Sequence, residues 1–317
     1  MIVIGFGSME LIITLETLLN PAMSSMLIKA LIVGVLTAMC AAMLGVPLVL
    51  KRYSMIGDGL SHMGFFALAV ATVLGVSDGK QLFVTLPLVV VAAVVLLLLS
   101  ENGKIKGDAA IAMLSTGAVA LGYIVYNAFS KSAGDICTSL FGSSIMSLKI
   151  GDVKLSVLLA AGVLFVFVLL FNKIFAVTFD MAFAKSAGTR TTLYNVIIAV
   201  LTAVTIVVGM KMIGSIMISA LIIFPALSAM RVCKRFKSVI VTSTVFSVIN
   251  FILGYFFSAV VVLNPVGHAF KEASLPLGPC VVCFNVLTLL LCMVIKAVSD
   301  KIKGKKALSA TKGETAK

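Results

Sequence analysis

Asp58 and His62 stand where an apolar chain has least reason to keep ionisable groups. They fall in the run Lys51–Val70, KRYSMIGDGLSHMGFFALAV. Residues four apart on a helix share one face, about 6 Å apart along the axis. A carboxylate and an imidazole at that spacing can both reach one small cation, and the pairing suits Zn²⁺, Mn²⁺ and Fe²⁺. Ser61 adds a weak oxygen ligand on a neighbouring face. Two ligands do not complete a tetrahedral or octahedral shell, so water, backbone oxygens or another subunit must supply the rest. Such loose coordination suits a pathway, which an ion must also leave. The same two residues admit a plain structural role, with Asp58 capping the helix and His62 bonded to it. The second histidine, His268, lies in NPVGHAF and reads as a surface residue of a loop.

Two further stretches carry information. In VTFDMAFAKSAGTRTT (Val177–Thr192), Asp180 can serve as N-cap to a short helix over Met181–Ala187, with Gly188 at the position after its end. Phe179 precedes the cap as a large apolar knob. A two-turn helix is marginal in water, so this one is expected either docked against something or as an ordinary capped loop. In GSIMISALIIFPALSAM (Gly214–Met230), Ser215 and Ser219 form a small-xxx-small pair that lets a neighbouring helix come close, and Pro225 interrupts the backbone ladder. That face suits a cavity lining or a subunit contact, and equally simple bundle packing.

The elements that must hold these residues are membrane helices. Of 317 residues, 61% are hydrophobic and only 12% charged, with a mean hydropathy of +1.20. A soluble domain carries about 25% charged residues. The composition excludes a soluble enzyme, a disordered chain and a secreted disulfide scaffold. Apolar runs of spanning length occur at Met26–Leu50, Leu60–Val76, Leu82–Leu99, Ala109–Phe129, Leu155–Val177, Leu193–Gly209, Ile213–Met230, Val239–Leu263 and Val281–Val298. The fold expected is all-α, a polytopic integral membrane protein with about nine transmembrane helices, eight to ten if LFGSSIM (Leu140–Met146) dips into the bilayer.

Charge sets the orientation. The 25 Lys and Arg against 12 Asp and Glu make a net +13. Lys51–Arg52, Lys104/Lys106, Lys185/Arg190, Arg231/Lys234/Arg235/Lys237 and Lys301–Lys317 fall in alternate loops, which nine spans place together in the cytoplasm. No basic face forms, so nucleic acid is not an expected partner. The domains expected are an N-terminal amphipathic segment (1–25), a transmembrane domain (26–298) and a disordered basic tail (299–317). This pattern puts Asp58 near the cytoplasmic end of its span; a deeper gate would need either a helix broken at Gly57 or Gly59, or a span count different by one.

Cys280 and Cys283 form a lone C-x-x-C at the start of an apolar run and read as two small hydrophobes one turn apart. The sequence has no G-x-x-x-x-G-K-[ST] phosphate loop, no H-E-x-x-H and no G-x-S-x-G.

Five blocks in order resemble the metal-transporting ABC permeases, the membrane subunits of zinc, manganese and iron importers. They are GDGLSH (Gly57–His62), KGDAAIAMLSTGAVALG (Lys106–Gly122), LFGSSIMSLKIGD (Leu140–Asp152), FDMAFAKSAG (Phe179–Gly188) and IGSIMISALIIFPALSA (Ile213–Ala229). The resemblance implies a multi-pass permease in the cell membrane, working as a dimer with cytoplasmic ATP-binding subunits and an extracytoplasmic metal-binding protein. It implies that the chain is not itself an enzyme and holds no permanent cofactor. Asp58 and His62 carry over as metal-pathway residues. Phe179, Asp180, Ala184 and Gly188 carry over as parts of the ATPase coupling helix, and Ser215, Ser219 and Pro225 as parts of a pathway or dimer helix. The loop Asn264–Pro279 is longer than the family's usual turn. Zinc is the first expectation for the transported ion, with manganese and iron open; a stand-alone secondary metal transporter is the alternative.

Overall fold

A computed structural model describes residues 21–53, 55–76, 80–101, 107–129, 150–263 and 277–314. The helices are α1 (Pro21–Leu50), α2 (Ile56–Val73), α3 (Gln81–Glu101), α4 (Gly107–Phe129), α5 (Ile150–Leu169), α6 (Phe171–Phe179), α7 (Met181–Ser186), α8 (Thr191–Ile213), α9 (Ser215–Val232), α10 (Phe236–Leu263) and α11 (Leu277–Glu314). No strand occurs among the described residues. In hydrocarbon a backbone must satisfy its own hydrogen bonds, and only a helix does so within one segment. Eight of these helices are long and apolar enough to cross a membrane. A ninth results if α5 and α6, bent by 67° to one another, form a single span. The count meets the nine expected.

Several boundaries differ from the expected ones. Helix α2 begins at Ile56 rather than Leu60, which takes Asp58 into the helix. Between α8 and α9 the break is the single residue Gly214, at φ +97°. A side chain rarely adopts that angle, so glycine lets one helix end and the next begin without a loop. Helix α11 runs on past Val298 to Glu314, where a disordered tail was expected. The amphipathic stretch 11–19, LFGSSIM and His268 lie outside the described residues.

Large apolar side chains such as Phe83, Phe129, Leu158 and Phe165 are exposed on the outer helices. Water would not tolerate so much exposed apolar surface, and lipid does. The interior packs apolar side chains such as Phe167, Phe251 and Leu44, and close glycine contacts and directed hydrogen bonds join the helices around them. At Gly45 of α1 an added Cβ would lie 2.0 Å from the Ile222 carbonyl oxygen of α9. Helix α10 is tied to α1 by Ser243 Oγ donating to Ala42 O at 3.3 Å, Ser247 Oγ to Ala38 O at 3.0 Å and the Tyr255 hydroxyl to Leu27 O at 3.0 Å. It is tied to α11 by Asn250 Nδ2 donating to Asn285 Oδ1 at 3.1 Å and by Thr288 Oγ1 donating to Asn250 Oδ1 at 2.8 Å.

Gly45→Ala is expected to force α1 and α9 apart and to cost about 1–3 kcal/mol, because the obstacle is backbone and cannot rotate away. Gly117→Ala and Gly162→Ala meet nothing within 4 Å and should not lower stability. Thermal unfolding of the three variants in detergent distinguishes them; a Gly45→Ala protein as stable as the other two would refute the close packing.

Candidate functional site

Helix α2 is continuous through Gly57 and Gly59, so the broken helix, one of the two routes to a deeper gate, is absent. Asp58 sits in its first turn, at the end flanked by Lys51 and Arg52. The N-cap residue is Met55, with no side-chain cap bond. Asp58 is therefore free of the capping role open to it in the sequence, and its carboxylate turns along the helix to His62. His62 Nε2 lies 3.3 Å from Asp58 Oδ1. The side chains are 44% exposed for Asp58 and 23% for His62. His62 Nδ1 is buried and has no hydrogen-bond partner among the described residues.

Two neighbouring helices frame the pair. Ser115 of α4 donates from Oγ to Asp58 Oδ2 at 3.4 Å. Ser61 donates to the Asp58 carbonyl at 2.8 Å and lies 3.4 Å from the Ser219 hydroxyl of α9. Ser219 in turn donates to Ser215 O at 2.9 Å. Ser215, Ser219 and Pro225 are all buried within the chain. The small face of α9 is thus filled by α2 of the same chain. Ser115 was not singled out in the sequence, where one serine in an apolar run carries no signal of its own.

A half-exposed carboxylate inside a spanning helix is costly against lipid, so it must face water, a partner or a passing cation. Among the described residues no third His, Cys, Asp or Glu joins the pair. The arrangement therefore offers one carboxylate, one imidazole and a hydroxyl, open on one side.

The second element lies apart from this pair. Helix α7 forms where expected, one residue shorter at its end: Asp180 is the N-cap and accepts from the Phe183 backbone N–H at 2.9 Å. Its C-terminal end closes with Gly188 at φ +75°, Thr189 N–H donating to Ala184 O at 2.9 Å and Gly188 N–H to Lys185 O at 3.1 Å. Glycine supplies the left-handed residue this cap needs. Ala184 is buried against the bundle, while Phe183 is 67% exposed and Met181 also stands out. Phe179 is the last residue of α6 and part of an aromatic cluster, its ring 5.0 Å from Phe175 and 5.6 Å from Phe236. The outward apolar patch of this segment therefore includes Phe183, which the sequence did not mark because a two-turn helix leaves its inner face undetermined.

The described residues thus form a multi-pass all-α bundle with an ionisable pair inside one span and a short capped helix between two others. The chain belongs to the ABC 3 transport family, whose profile matches residues 23–296. This agrees with the resemblance carried by the five sequence blocks. It makes the chain a permease subunit rather than an enzyme, with ATP hydrolysis on a separate subunit. Among its relatives is the manganese import system permease protein ScaB of Streptococcus parasanguinis, 28% identical over 284 residues, which cover 89% of this chain and 94% of that one. The chelated iron transport system membrane protein YfeD of Yersinia pestis is 25% identical over 276 residues, covering 86% and 87% of the two chains. The fold matches PsaBC from Streptococcus pneumoniae in complex with Fab, with a TM-score of 0.72 and 24% identity over 88% of this chain and 94% of that one.

Asp180→Ala removes the cap bond and is expected to cost α7 about 1 kcal/mol. Amide hydrogen exchange at Phe183 in micelles should quicken about fivefold, and unchanged exchange would show that docking, not the cap, holds the helix.

Proposed function

We propose that this chain moves a divalent transition metal ion across the cell membrane, along a path past Asp58 and His62, powered by a partner ATP-binding subunit. The half-exposed carboxylate–imidazole pair inside α2 carries this reading: its side chains are the wrong ones for lipid and the right ones for a borderline cation. Two protein ligands hold an ion loosely, which suits release. A second copy of the chain, or water, completes the shell on the open side of Asp58. Such a subunit works as a dimer beside an extracytoplasmic metal-binding protein that delivers the ion.

Manganese is the first candidate. Carboxylate plus imidazole accepts zinc, manganese and iron alike, so the zinc expectation has no support beyond shared ligand chemistry. Similar proteins spanning most of the chain carry manganese in their names, and one carries chelated iron. Helix α7, with Phe183 and Met181 outward, supplies the apolar surface on which the ATP-binding subunit seats.

Uptake of radioactive manganese, zinc and iron in competition, by cells expressing this chain with its ATPase and binding protein, tests the proposal. ATP-dependent manganese uptake is expected, reduced at least 100-fold by His62→Ala and by Asp58→Ala, with the ATPase still co-purifying. Normal uptake by both variants would remove the pair from the path. Uptake that persists without the ATPase would make the chain a carrier in its own right. A second measurement addresses the docking surface. Phe183→Asp is expected to lower ATPase co-purification at least tenfold while leaving the purified permease as stable as before; full retention of the ATPase would place its seat elsewhere.

A further inference from the structure

Helix α1 ends in a hydrogen-bonded turn shortly before α2 begins. Arg52 N–H donates to Val49 O at 3.1 Å and Tyr53 N–H to Leu48 O at 3.0 Å, the pattern of a helix-ending Schellman motif. The left-handed position of that motif, usually glycine, is Arg52 at φ +63°. The turn runs directly into α2: Ile56 N–H donates to Tyr53 O at 3.2 Å and Asp58 N–H to Met55 O at 3.1 Å. Lys51 is the C-cap residue of this turn, and Asp58 lies in the first turn of the helix that follows.

Lys51 also reaches sideways. Its Nζ donates to Asn195 Oδ1 on α8. The other end of the same amide, Asn195 Nδ2, donates to Met181 Sδ, the first residue of α7, at 3.3 Å. Asn195 is only 3% exposed. One buried amide therefore bridges the docking helix on one side and the turn that carries Asp58 on the other. A small cavity of about 10 Å³ beside the bridge is lined by residues including Leu48, Tyr53, Ile56 and Ile198. A directed polar link adds to the side-chain packing through which one helix can shift another.

We propose that Lys51 and Asn195 are positioning residues that couple α7 to α2, so that movement of the docking helix on the ATP-binding subunit shifts the start of α2 and with it the Asp58–His62 pair. Neither residue touches the transported ion. The inference rests on the proposed roles of α7 and of the Asp58–His62 pair.

The test is transport by the full chain reconstituted with its ATPase and binding protein in liposomes, using manganese alone as probe. Metal uptake and ATP hydrolysis are read together. Lys51→Met keeps the stem and removes the ammonium; Asn195→Leu removes the amide's bonds to Lys51 and Met181 at similar volume. Each is expected to lower the metal moved per ATP hydrolysed at least fivefold, with the KM for manganese within twofold of wild type and the ATPase still bound. The double variant should be no worse than either single one, because the two residues form one link. Lys51→Arg should retain at least half the wild-type ratio. An unchanged ratio in both single variants overturns the proposal, as does joint loss of uptake, hydrolysis and ATPase binding, which would mark the bridge as scaffolding only. Should the apolar variants fail to insert, Lys51→Arg and Asn195→Asp decide: Arg keeps the donor and should retain coupling, whereas Asp still accepts from Lys51 but cannot donate to Met181 and should lower the ratio at least fivefold; wild-type coupling in Asn195→Asp overturns the proposal. Wild-type uptake that needs no ATP would overturn the underlying transport mechanism itself, before any variant is compared.

Discussion

Ser61 of α2 lies 3.4 Å from Ser219 of α9, and much of the site follows from how closely those helices approach. At Gly57 a Cβ would stand 3.3 Å from the end of the Ile222 side chain and 3.4 Å from Ser219 Cα, so the two helices meet there close to ordinary contact distance. On the opposite side Gly59 makes room for Ile111 of α4, where a Cβ would come within 2.8 Å of its methyl group, and Gly122 makes room for Phe65. Between these contacts α2 is held deep enough for Ser115 to reach Asp58. An ionisable pair in a membrane span is tolerable only when polar neighbours surround it. The glycines of α2 and α4 are what bring those neighbours within reach.

The rest of the bundle solves the same problem with different means. Lipid supplies no hydrophobic drive between helices, so association depends on shape and on hydrogen bonds. Helices α1, α10 and α11 use serine, tyrosine and asparagine side chains aimed at backbone carbonyls or at each other. Each such bond is modest, about 0.6 kcal/mol on average in a membrane, but several in register fix the rotation of α10 against both neighbours. The outcome is a frame of α1, α10 and α11 beside a group of α2, α3 and α4, with α8 and α9 packed between them.

At the end of the molecule bearing Lys51, Lys185 and Arg231 the balance changes. There the chain makes short capped segments and aromatic contacts instead of long apolar ones. The rings of Phe175, Phe179 and Phe236 gather where α6 meets the start of α10, and α7 hangs from this cluster with one face inward at Ala184 and another outward at Phe183. The Asp180 cap and Gly188 define the helix, while its inward face and the Asn195 contact determine how it is held.

The sequence by itself determined the membrane class, the helical architecture and the approximate spans, because lipid demands long apolar runs and leaves no other backbone solution. It also located Asp58 with His62 and the capped helix after Asp180, since spacing and capping are local properties. Only the tertiary structure decided that α2 is unbroken, that Ser115 and Ser219 flank the pair, that the exposed Phe179 also joins an aromatic cluster and Phe183 faces outward beside it, and that Lys51 and Asn195 meet across 144 residues. Those outcomes depend on which helix packs against which face. In a chain whose helices are apolar on nearly every side, no amphipathic stripe records that choice; close glycine contacts and isolated polar side chains make it after the helices meet.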